Sequence, residues 1–218
     1  MKNNILSSLE QLPYFTIQAV KQFFPSEEYQ KGTVQTAIYR WMKSGKLVKL
    51  KNGVYTSRKF FDSHKNDPDF PIMISTILIP QSYASTHFIL QRYSILTDVT
   101  YTISSITRKQ TRIIENSVGI FQYSHIKERL YTGYQLSEYF GVPIAKATIA
   151  KALFDYLYLR PISTRAIKKG IDIVNELRLN IDDLSRSDRE EFEEYINLEG
   201  GPKMMSILSN IKEHTWRD

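Results

Sequence analysis

The stretch TVQTAIYRWMKSGKLVKLKNGVYT, residues 33–56, decides how the chain is read. Val34, Ala37, Ile38, Trp41 and Met42 recur at i, i+3, i+4, i+7 and i+8, the spacing of one apolar helix face. Advancing 100° per residue puts Gln35, Thr36, Tyr39, Arg40 and Lys43 together on the opposite face. Gly45 stops this helix, predicted over residues 33–44, at the position just past its last turn. Two β-rich runs then flank Lys51-Asn52-Gly53, and the Asn-Gly pair accepts the positive φ that a tight hairpin turn needs. Val48, Leu50, Val54 and Tyr55 are expected to pack, while Lys49 and Lys51 are expected to face solvent.

Two further helices are expected upstream. Residues 3–12 carry Ile5, Leu6, Leu9 and Leu12 on one face, and Pro13 ends the run. Thr16 has the side chain to cap a second helix bearing Ile17, Val20 and Phe24, which Pro25 closes. Three helices followed by a hairpin predict a winged helix-turn-helix over residues 1–60. The third helix would then enter a DNA major groove and the hairpin would touch backbone or minor groove. Arg and Gln pair in two-pronged fashion with guanine and adenine, Thr meets a thymine methyl, and Lys holds phosphate. The candidate DNA contacts are therefore Thr33, Gln35, Thr36, Tyr39, Arg40, Lys43, Lys46, Lys49, Lys51, Asn52 and Arg58.

Charge supports the same assignment. Residues 1–60 hold 10 basic and 3 acidic residues, whereas the remainder holds 19 and 20, so the net excess of +6 lies in the first quarter. Residues 31–59 contain eight Lys or Arg and no acid. A single-sign cluster of this kind is the electrostatic footprint that phosphates require. Two other readings stay open at this point: a winged helix that grips a protein, and a DNA-binding head carrying a catalytic tail.

The remainder reads as a second domain, residues 70–218, of mixed α+β type ending in helices. Residues 57–71 read as a polar linker. Residues 72–79 are apolar with a period ambiguous between helix and strand, and residues 85–93 look helical. Strands are expected at 100–106, 111–115 and 118–123, and beyond Pro143 the pattern reads as helical. One stripe there carries Ile149, Leu153, Tyr156 and Leu157 up to Pro161, and the next carries Ile167, Ile171 and Val174. Ser187 with Glu190 suggests a capping box, and Gly200-Gly201-Pro202 a break before a last helix. Lys151 and Asp155, spaced i, i+4, suggest an exposed ion pair.

Several chemistries lack their residues. The chain has no cysteine, hence no disulfide, thiolate nucleophile or thiolate-held zinc. The four histidines form no spaced ligand pair. Neither a Glu-x-Lys nuclease signature, a phosphate-binding Gly-x₄-Gly-Lys loop nor a Gly-x-Ser-x-Gly elbow occurs. Asp182-Asp183 is read as a helix N-terminus rather than a metal site. No catalytic residue, metal or cofactor is expected. The lack of an apolar run near 18 residues and of a signal-like N-terminus points to a cytoplasmic protein.

Four segments, in order, resemble the AbiEi family, the antitoxin and transcriptional repressor of type IV toxin–antitoxin (abortive infection) systems. They are LKNGVY at 50–55, IPQSYASTHFILQRYSIL at 79–96, GIFQYSHIKERLYTG at 119–133 and PIAKATIAKALFDYLYLRP at 143–161. The resemblance covers roughly residues 30–161. Ala150 stands where that family often has Glu, and Ser94 where it often has Gly. The resemblance implies repression through inverted repeats in double-stranded DNA upstream of the protein's own operon. It also implies antagonism of a nucleotidyltransferase-type toxin without a stable complex.

Overall fold

The computed structural model describes residues 2–24, 27–98 and 100–217. The chain is mixed α+β, with helices and sheets interleaved. It opens with α1 (Lys2–Leu9), β1 (Phe15–Thr16), α2 (Ile17–Lys21) and α3 (Glu27–Lys43), followed by the hairpin strands β2 (Leu47–Lys51) and β3 (Val54–Ser57). As the sequence predicts, Thr16 caps α2, its hydroxyl accepting from the Ala19 amide at 3.2 Å. Ile5, Leu6, Leu9, Phe15, Val20, Phe24, Val34, Ala37, Ile38, Trp41, Leu47 and Tyr55 form one apolar cluster. Each large side chain buried this way contributes about 1.5–3 kcal/mol. β1 pairs antiparallel with β3, making a three-stranded sheet ordered β1-β3-β2 that the sequence did not announce.

Three expectations here need correcting. Leu12 is 42% exposed, because α1 ends at Leu9 and the chain turns before it. α3 begins at Glu27, six residues earlier than the apolar stripe implies, because Glu27, Glu28, Gln30 and Lys31 favour helix by type without adding to that stripe. Met42 is 37% exposed at the margin of the helix. The closure of α2 by Pro25 lies outside the described residues.

Residues 57–71 are not a linker. Ser57 caps α4 (Arg58–His64) by accepting from the Phe60 amide at 2.9 Å, and α5 (Phe70–Leu78) follows after one turn. Phe60 is buried among Phe70, Phe140 and His64. Polar composition misled because α4 is anchored by two adjacent rings, Phe60 and the partly buried Phe61 on Phe70, which make no stripe. α5 settles the ambiguous 72–79 run as a helix, buried nearly all round.

The second unit is built on a six-stranded sheet of β4 (Ser82–Ala84), β5 (Thr102–Thr107), β6 (Arg112–Glu115), β7 (Ile120–His125), β8 (Tyr134–Tyr139) and β9 (Val142–Ala147), ordered β6-β7-β5-β4-β9-β8. β5 runs parallel to β7 and β4 to β9, while the other neighbours are antiparallel. Around it lie α6 (Thr86–Leu90), continued by a 3₁₀ turn, α7 (Ile149–Leu159), α8 (Thr164–Lys168), α9 (Ile173–Glu176), α10 (Arg186–Glu199) and α11 (Pro202–His214). The β8–β9 hairpin overturns the helical reading just past Pro143. The stripe through Ile167 and Ile171 is two short helices, with Ile171 41% exposed in the break. α10 is capped by Ser185, not Ser187, so Asp182 and Asp183 precede the helix in a turn.

Lys151 and Asp155 are not an exposed pair: both side chains are 0% exposed, with Lys151 Nζ 2.6 Å from Asp155 Oδ1. The Ser85 and Tyr83 hydroxyls donate to Asp155 Oδ2 at 2.7 and 3.0 Å. The ammonium also lies over the rings of Phe154, Tyr195 and Tyr83. Burial pushes the Asp155 carboxyl up and the Lys151 ammonium down from their ordinary values, and the ion pair opposes both. Residues from 79–96, 119–133 and 143–161 thus converge on one polar knot, with Gly133 beside Lys151 and Tyr195. Ser94, which ends the 3₁₀ turn after α6, adopts a left-handed φ of 57°.

Candidate nucleic-acid interface

α3 places the expected residues on its open face. Thr33, Thr36, Arg40 and Lys43 follow one another at i, i+3, i+7 and i+10, and Gln35 and Tyr39 form the adjoining stripe. Thr33 is half-buried; the others are exposed, Tyr39 to 65%. Opposite them, Val34, Ala37, Ile38 and Trp41 are buried, which fixes the helix's rotation. Arg40 and Lys43 stand in the last turn, where cations favour the helix dipole. Gly45, at φ 70°, takes the left-handed step that ends it, and Lys46 N closes on Trp41 O at 2.8 Å.

The remaining candidates divide into three places. Lys46 and Arg58 sit at the base of the hairpin, where the Arg58 amide donates to Lys46 O at 2.8 Å and its guanidinium lies 5.4 Å over Phe61. Lys49 is exposed in mid-strand, opposite Tyr55. Asn52 is exposed at the tip, about 13 Å from the base at the usual strand rise.

Lys51 departs from expectation. It is half-buried, and its ammonium donates to the carbonyls of Ile77 and Leu78 at the end of α5. Burial, and then the charge of Lys109, hold it below the usual lysine range. A register shift between Lys49 and Lys51 turns the side chain away from the position that strand alternation predicts. Alternation could not show this, because the partner carbonyls come from a helix 26 residues onward. The same hairpin edge is held by Asn116, whose side-chain amide donates to Leu50 O at 2.9 Å.

Among the described residues, no three His, Asp or Glu side chains cluster so as to hold a metal ion. None of the described helices is long and apolar enough to cross a membrane. Comparison of the chain with protein families and with curated proteins gives no match.

Proposed function

We propose that this chain is a sequence-specific repressor of the AbiEi kind, with a winged helix-turn-helix that binds inverted repeats in double-stranded DNA upstream of its own operon. α2 and α3 serve as the helix pair, α3 as the major-groove reader and β2–β3 as the wing. The observation that carries this reading is the division of α3. Its apolar face is spent in the core, and its open face offers Gln35, Thr36, Tyr39, Arg40 and Lys43 within an acid-free segment. The resemblance of the following segments supports a second role, as cytoplasmic antitoxin to a nucleotidyltransferase-type toxin that it counters without a stable complex. The chain acts by binding, with no catalytic step of its own.

Fluorescence anisotropy tests the first role, using the protein's own upstream DNA and a scrambled duplex over a range of salt. Upstream DNA is expected to bind far more tightly, with affinity falling steeply as salt rises. Arg40→Ala is expected to weaken upstream binding by about 1–3 kcal/mol and scrambled binding much less. Equal weak binding to both duplexes, or negligible salt-insensitive binding, would remove the proposal in favour of a protein-gripping winged helix. Co-expression with a neighbouring nucleotidyltransferase-like gene product tests the second role, through rescue of growth.

A further inference from the structure

One end of the six-stranded sheet is a second basic surface. There β5 ends, β6 begins and β7 ends, and the register sets Thr107 opposite His125 and Arg112 opposite Tyr123. Arg108, Lys109, Arg112, His125 and Lys127 are all exposed at this end. Residues 99–114 hold three cations and no acid. Glu128 is engaged by Arg108, whose guanidinium also lies 5.2 Å over Tyr131. The Lys109 and Lys127 ammoniums make neither an ion pair nor a hydrogen bond to any of the described residues, and Arg112 reaches only the Gln110 carbonyl, at 3.4 Å.

This end borders the β2–β3 hairpin. Lys51 bonds the carbonyls of Ile77 and Leu78 at the end of α5, from which the chain enters β4 with Ser82 opposite Thr107, two residues before Lys109, and the charge of Lys109 reaches Lys51. Cations held close together without counterions repel one another, and a polyanion along them removes that cost. The groups here are flexible ammoniums and a guanidinium, suited to phosphate rather than to base edges. Lys51 is occupied within the protein, so Lys109 is the cation left free at that point.

We infer that the duplex gripped by α3 and the hairpin continues onto this end of the sheet, where Lys109, Arg112 and Lys127 contact its phosphates. The inference rests on the DNA-binding reading above, and it makes the second unit part of the DNA footprint. The contacts carry affinity and register, not sequence.

The test is the triple variant Lys109→Gln/Arg112→Gln/Lys127→Gln in the full chain, titrated by anisotropy against upstream and scrambled DNA at several salt concentrations, beside wild type and Arg40→Ala. All three side chains are exposed, and an unchanged thermal transition establishes that the variant is folded. The salt slope is expected to fall by about two to three units, at close to one per phosphate contact. The preference for upstream DNA is expected to stay intact. An unchanged slope, with Arg40→Ala still selectively weakened, would overturn this inference and leave the repressor reading standing. Loss of sequence preference in the triple variant would overturn the assignment to phosphates. Failure of the wild type to bind either duplex would overturn both readings.

Discussion

The chain handles its cations in two opposite ways. Inside the second unit, Lys151 is wholly buried, yet it has a carboxylate at 2.6 Å and three rings around it, while Asp155 is completed by two hydroxyls. On α3, Arg40 and Lys43 are exposed, with no ion pair to any described residue. A buried charge is tolerated only when fully partnered, so the first set serves architecture. Charges left open on a helix fixed by its apolar face are available to something outside the protein. Lys51 belongs to the first kind despite standing in the middle of the second.

The largest test of this contrast is removal of a buried partner. Asp155→Ala is expected to cost about 3–5 kcal/mol in urea denaturation, because it strands an ammonium in the core. Arg40→Ala in the same assay is expected to change stability by less than about 0.5 kcal/mol. Comparable losses for the two would erase the distinction. Gly133→Ala comes next, at about 2–4 kcal/mol. Gly133 has φ 74°, and a Cβ there would lie 2.3 Å from Tyr195 Oη and 2.9 Å from Lys151 Cγ. A near-neutral result would mean the knot yields more easily than its packing implies.

The two hairpin lysines sharpen the boundary. Lys51→Met is expected to lower stability by about 1 kcal/mol through loss of the carbonyl contacts, leaving the salt slope of DNA binding unchanged. Lys49→Ala is expected to do the reverse, sparing stability and lowering the slope by about one unit. An exchange of those phenotypes would reassign them. The smallest effect is expected at Thr56, whose buried hydroxyl has no partner among the described residues. Thr56→Val keeps the shape and removes that polar atom, for a gain of about 1 kcal/mol in the same denaturation series. A loss of stability there would show that the hydroxyl is satisfied.

What could be read in the sequence was local. The stripe of α3, the Thr16 cap, the Gly45 stop and the Asn52-Gly53 turn each depend on neighbours a few residues apart. So does the open face of α3, which is why its candidate residues emerged together. The misses are long-range or compositional. The fate of Lys51 depends on carbonyls at 77 and 78, and the burial of Lys151 and Asp155 on hydroxyls some 70 residues away. An i, i+4 pair of opposite charges looks the same in sequence whether water or a sheet covers it. The polar first turns of α3 and all of α4 lack an apolar stripe, so periodicity passed over them. The β8–β9 hairpin turns on Phe140 and Gly141, both at positive φ, and Gly141 was the available signal.

The β2–β3 hairpin has one last consequence, for how such chains can be recombined. Leu47 and Tyr55 belong to the first apolar cluster, whereas Leu50 and Val54 belong to the second. The hairpin is thus a party wall, and neither side owns it. A chimera spliced after Ser57 would bring the N-terminal unit onto its new body with half of that wall facing water. Grafts that also import α4 and α5, or that re-match their surface to Leu50 and Val54, keep the wall closed. For this architecture the exchangeable unit ends at Leu78 rather than at Ser57.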